Sequence, residues 1–140
     1  MSDKEHGVVQ PEGWPRPRGY ANGVLARGRT LFVAGQIGWN EQEELVSDDF
    51  VAQLERALAN VVAVVRAAGG APEHIARMTV YVTDLDAYRS SAKAAGEVWR
   101  RVLGRHYPAM ALVGVIGLVH PGAHVEIEAT AVLPDEERGP

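Results

Sequence analysis

One segment restricts the fold more than any other. From His124 to Leu133 the chain alternates strictly, with Val125, Ile127, Ala129 and Ala131 on one side and Glu126, Glu128 and Thr130 on the other. A period of two belongs to a β-strand with one face on a core and one face turned away from it. Pro134 stops the strand, because proline cannot donate to a sheet ladder. The chain must therefore build a sheet with distinct inner and outer faces.

The other elements follow from the same kind of pattern. Val51, Leu54, Leu58, Val61 and Val65 recur at steps of three and four, which predicts an amphipathic helix. Ser47 is its expected N-cap, Asp48 and Asp49 suit its first turn, and Gly69-Gly70 ends it. A second helix is expected over Ala87–Leu103, after cap candidates at Thr83–Asp86 and before Gly104. Met78–Thr83 is β-branched and aromatic and reads as a strand. Tyr20–Ala26 and Thr30–Ile37, around Arg27-Gly28-Arg29, read as a hairpin, with Gly35 at an expected end or bulge. Ala109–Ile116 is apolar without alternation, which predicts a strand covered on both faces. The order is β-β-α-β-α-β-β, an α+β arrangement with a mixed sheet and both helices on one face. The uncovered second face makes self-association an expectation.

The expected organisation is an extended polar arm over 1–18, one domain over 19–134 and a charged tail over 135–140. Trp14-Pro15-Arg16-Pro17-Arg18 forbids a helix in the arm. The 140 residues suffice for one core. Lys plus Arg is 14 against 18 Asp plus Glu, a net charge of −4, which argues against a nucleic-acid binder. The absence of cysteine excludes disulfides, thiolate metal sites and cysteine nucleophiles. Met1–Gln10 is polar, with no apolar run behind it, and Met110–Val119 is too short for a bilayer span, so a cytoplasmic protein without membrane association is expected.

Phosphate loops, dinucleotide fingerprints, nucleophile elbows and paired-histidine zinc motifs are all missing, so neither a cofactor nor a metal is expected. His120 and His124 are four apart, but Pro121 and Gly122 break any helix that would align them as ligands. His106, between Arg105 and Tyr107, reads as a solvated loop residue or an anion contact. Glu126 and Glu128 carry more. On a solvated face they are ordinary surface groups, whereas in a cleft a carboxyl held partly out of water can donate or relay a proton. Trp39 is a large aromatic in an expected loop, suited to a pocket or an interface.

Thr30–Ile37 (TLFVAGQI), Ala57–Val61 (ALANV), Thr79–Asp84 (TVYVTD) and Val125–Ala129 (VEIEA), in this order and spacing, resemble the Rid, or YjgF, family over about Gly19 to Pro134. The resemblance implies a chorismate-mutase-like fold and a homotrimer with a central barrel. It also implies a small-molecule cleft between subunits and hydrolysis of enamines or imines to a carbonyl compound and ammonia. Tyr20 looks like the family tyrosine and Glu126 like the family glutamate, the expected catalytic residue. The family arginine follows a Pro-Ala pair, and here Pro108-Ala109 is followed by Met110. Leu112 makes the wall more apolar, and a helix asparagine of the family falls at Gly96. The chain thus looks like an arginine-less branch, in which Tyr20, Trp39, Met110 and Leu112 are the expected substrate contacts. Arg16, Arg18, Arg105 and His106 are candidates for a replacement anion contact. Ordinary aminoacrylate is not the expected substrate. The alternative is a trimeric binding or chaperone-like module that kept the cleft without catalysis. Some family members are called endoribonucleases, but the net charge gives little reason to extend nucleic-acid binding here.

Overall fold

The computed structural model describes residues 6–136. Their strands are β1 (His6–Val9), β2 (Gly23–Ala26), β3 (Arg29–Gln36), β4 (Ile75–Val82), β5 (Ala109–Gly114) and β6 (Val125–Leu133). The helices are α1 (Phe50–Ala67), α2 (Leu85–Ser90) and α3 (Ala92–Leu103). The main sheet has the order β3-β6-β4-β5, antiparallel except for the β4–β5 pair. Parallel β4 and β5 require a crossover, which α2 and α3 supply on the same face that α1 covers. The sheet is mixed, with its helices on one side, as the element order predicts.

The alternating strand sits inside the sheet. Val125, Ile127, Ala129, Ala131 and Leu133 are buried against the helices, Glu126 and Thr130 are half-buried, and Glu128 is exposed. From α1, Leu54, Leu58, Val61 and Val65 are buried completely; the helix packs chiefly on β6 and β3 and shares one core with Ile75, Met78, Val80 and Val82 of β4. Asp49, rather than Ser47, caps α1: its Oδ2 accepts from Ala52 N at 2.9 Å, while Ser47 Oγ accepts from Asp49 N. At the other end Gly69 takes φ +91°, and Gly69 N and Gly70 N donate to Arg66 O and Val65 O, closing the helix with the paired bonds of a left-handed cap.

Four further expectations are corrected. Tyr20–Ala26 does not pair with Thr30–Ile37: β2 pairs antiparallel with β1 from the arm, and β3 pairs with β6. The arm therefore contains a strand where an unpaired extended lead-in is expected. Its bend is fastened by Gln10, whose Nε2 donates to the carbonyls of Trp14 and Pro15 and whose Oε1 accepts from Asn22 Nδ2. Beyond it, Ala21 N donates to Pro108 O at 3.0 Å and Ala21 bridges Ala109, laying the segment along β5. The helix expected over Ala87–Leu103 starts at Leu85, capped by Asp84, and breaks at Ser91, where the Ser90 hydroxyl bonds back to Ala87 O. Finally, β5 is an edge strand within the chain. Met110 and Leu112 pack half-buried on the core, while Ala111 and Val113 are exposed on the other face.

Candidate functional site

Gly35 and Glu126 meet on the face of the sheet turned away from the helices. The β3–β6 register shifts between Val33 and Gln36, at the expected irregularity. A Cβ placed on Gly35 would lie 2.8 Å from Glu126 Cδ, so glycine is what lets the carboxyl rest on the β3 backbone. Glu126 is half-buried there, with no side-chain hydrogen bond or ion pair among the described residues. Glu128 differs. It accepts from the Tyr81 hydroxyl, and that bond is the main reason the phenol is held above its ordinary pKa. One carboxylate on this face is engaged and the other keeps its lone pairs available.

Tyr20 occupies a different place. A cavity of about 570 Å³ lies at the edge of the helix layer, lined by Tyr20, Arg18, Tyr88, Trp99, Met110 and Leu112. Gly96 opens it further, since no side chain projects from that turn of α3. Arg18 and Tyr20 also border a larger cleft of about 970 Å³ between the arm and the segment before β5, with Trp14, Arg16, Arg105 and Tyr107. Three expected substrate contacts, Tyr20, Met110 and Leu112, thus share one cavity. Within one chain Glu126 lies on the opposite face of the sheet.

Trp39 falls at a third place. It is half-buried, edge-on to His120 at 6.1 Å between ring centroids, and Asn60 Nδ2 donates to its carbonyl. The histidines are held separately: Gly122 N donates to His120 Nδ1, and His124 Nε2 lies 3.1 Å from Asp48 Oδ1. His106 is half-buried at the rim of the larger cleft, and its Nε2 donates to Ile75 O at 2.6 Å, so that nitrogen is not free for an anion. Burial holds this imidazole below its ordinary pKa.

Comparison with known proteins supplies the family. The family model described as endoribonuclease L-PSP matches residues 15–133. The chain belongs to this family. Among L-PSP relatives, the protein DfrA of Myxococcus xanthus is 38% identical over 106 residues, covering 75% of this chain and 77% of that protein. A human protein named 2-iminobutanoate/2-iminopropanoate deaminase is 29% identical over 114 residues, covering 81% and 79%. A crystal structure from Yersinia pestis, described as the Rid-family protein YyfB of unknown function, superposes with a TM-score of 0.81 at 35% identity, covering 93% and 100%. The Rid resemblance of the four sequence segments is therefore correct.

One residue that shapes this L-PSP-family chain carries no signal in the sequence. Gln53 is fully buried, and its amide joins three segments: Nε2 donates to Ser47 O and Gly122 O, and Oε1 accepts from His124 N. A lone polar residue beside Leu54 gives no hint of this. Tyr88 and Trp99 are legible as helix-face apolar residues, but only the folded crossover brings them to Tyr20.

Proposed function

We propose that this chain is an enamine or imine deaminase of the L-PSP/Rid family, working as a homotrimer with its reaction cleft between subunits. The observation that carries the reading is Glu126, an unengaged carboxylate seated on Gly35. In the reaction, water adds to the imine carbon as Glu126 relays one of its protons to the nitrogen, giving a carbinolamine; Glu126 then relays the hydroxyl proton to the nitrogen as the C–N bond breaks, and a carbonyl compound and ammonia leave. An enamine enters the same path once its carbon is protonated to give the imine. The deaminase names carried by relatives that align over more than four-fifths of this chain support the assignment.

Glu126 and the Tyr20 cavity lie on opposite faces of one chain's sheet, so a substrate touching both needs the carboxylate of one subunit against the cavity of another. Phe32, 79% exposed on the face away from the helices, is suited to such a contact. Met110, in place of the family arginine, removes a bidentate carboxylate contact and makes aminoacrylate a poor substrate. Trp39 stays a candidate contact only from a neighbouring subunit. A cytoplasmic setting fits reactive-intermediate chemistry, and none of the described helices is long and apolar enough to cross a membrane.

The test is ammonia release from freshly generated enamines, from aminoacrylate to larger aminomuconate-like compounds. Wild type accelerates release from the larger ones, and Glu126→Gln lowers that rate by about a hundredfold or more. No acceleration of any compound would leave the binding module as the function.

A further inference from the structure

Three histidines from three separate segments meet beneath the arm. His6 lies on β1, His74 ends a single 3-10 turn over Pro72–His74, and His106 lies between α3 and β5. The rings of His6 and His74 stand edge-on, with 6.2 Å between centroids. Among the described residues the β1–β2 ribbon shares no ladder with the main sheet. Its one side-chain hydrogen bond to that sheet runs from His6 Nε2 to Val132 O at 2.9 Å. The bonds these rings make select their neutral forms. A carbonyl oxygen only accepts, so His6 and His106, bonded to Val132 O and Ile75 O, carry their proton on Nε2 and leave Nδ1 bare. His74 Nδ1 accepts from Ala71 N at 3.0 Å, so its proton also sits on Nε2. A second proton is badly placed on each ring. On His6 it would enter Nδ1, which is buried without a partner among the described residues. On His74 it would displace the Ala71 N–H. On His106 burial opposes it first, and positive charge on His6 or His74 adds to that opposition. Glu73 and the Ile75 carbonyl pull the other way. Arg105 and Tyr107 flank His106, and Arg27 follows Ala26, the β2 partner of His6; none of them brings a negative charge to the cluster.

We propose that His6, His74 and His106 form an acid-sensitive latch, which docks the β1–β2 ribbon on the main sheet while the rings are neutral and releases it when they are protonated. Because the docked state binds fewer protons than the released one, docking is complete above the ordinary histidine value of 6.5 and weakens as pH falls below it. Release changes more than the ribbon. Val8 and Trp14 line the cleft of about 970 Å³ from the arm side and His106 lines it from the other, so undocking takes away one wall. The Ala21 bond to Pro108 O keeps the chain beyond the ribbon attached at β5. The latch does not depend on the deaminase reading, since none of the three rings belongs to the Glu126 seat.

Residue-resolved hydrogen exchange on the full chain tests it, at about pH 7.5 and about pH 5.5, with intrinsic exchange rates corrected for pH. In wild type the protection of β1 and β2 amides falls by about tenfold or more at the lower pH, the scale of one ring kept neutral a unit below its ordinary value. Protection of β4 and β6 amides stays. His6→Gln keeps a donor for Val132 O in its own amide and cannot be protonated, so it loses most of the drop. His124→Gln, a histidine outside the cluster, keeps all of it. Unchanged ribbon protection in wild type, an equal fall in β4 and β6, a full drop in His6→Gln, or its disappearance in His124→Gln would each overturn the latch. Nitrogen-15 spectra of the wild-type imidazoles give a check that needs no variant. At the higher pH all three rings show a bare Nδ1, and a protonated Nδ1 there on His6 or His74 overturns the proposal. Should His6→Gln leave the ribbon open at both pH values, the same spectra decide. Ring protonation and ribbon opening at one pH support the latch, and opening without protonation overturns it.

Discussion

At the scale of single residues, Gly35 and Glu126 act as a pair. Glycine on β3 supplies the space that the β6 carboxyl fills, so a methyl group at Gly35 must push that carboxyl aside. The end of a glutamate can move, and Gly35→Ala is expected to cost only about 1 kcal/mol of stability. A displacement of about 1 Å at a proton-handling group is worth on the order of a hundredfold in rate. Gly35→Ala should therefore stay folded, by melting temperature, and lose most of any deaminase activity. Equal activity in the variant would remove Glu126 from the chemistry. The sequence makes Glu126 conspicuous because it breaks an otherwise apolar strand at regular intervals. It does not separate Glu126 from Glu128. That difference comes from Tyr81, whose hydroxyl binds Glu128 across the β4–β6 pair and is legible only once the register is known. Nor does spacing place Trp39, because it lies in an irregular segment whose path depends on Asn60 and on contact with His120.

At the scale of elements, periodicity works where one face of an element meets the core. The stripe on α1 and the alternation on β6 are both recovered, because burial on one face and water on the other write a period into the residues. It fails at strand pairing. Nothing in Tyr20–Ala26 distinguishes a partner in β3 from a partner in the arm, since both are nearby and extended. It fails again at β5, where an apolar run marks an edge and not a centre. Gln53 is the strongest element-scale dependency that periodicity hides. Gln53→Leu preserves volume and leaves Ser47 O, Gly122 O and His124 N without their partner, at a cost of about 3 kcal/mol. Urea denaturation should show the midpoint falling with an unchanged slope. A loss well under 1 kcal/mol would mean that water replaces the amide.

At the scale of the whole molecule, pH acts through His106. Its pKa is lowered, chiefly by burial, so the folded state binds a proton less readily than the unfolded chain. The stability from keeping this ring neutral is complete above the ordinary histidine value of 6.5. It is lost progressively as pH falls from there through the lowered folded value. Glu41 and Glu55, both lowered from 4.5 by arginine partners and, for Glu41, first by a backbone hydrogen bond, add their losses only at more acidic pH. Melting temperature should therefore decline below about pH 6.5, and His106→Asn should flatten that upper part of the curve. Assembly is measured independently: the proposed trimer would sediment at three times the 15.1 kDa chain mass. A monomer at micromolar concentration would leave Glu126 and the Tyr20 cavity on separate faces, with no shared cleft.

The order β3-β6-β4-β5 puts the last of the described strands between two strands that precede it. During synthesis, β3 and β4 leave the ribosome with no β6 to join them, and Arg29 waits for Leu133 before its pairing exists. Local hairpins cannot nucleate this sheet, and its closing step brings together residues about a hundred positions apart, a topology that folds slowly. A nascent chain stalled before Val125 would expose the inner faces of β3 and β4 without the ladder between them, an aggregation-prone state that ends only when β6 emerges.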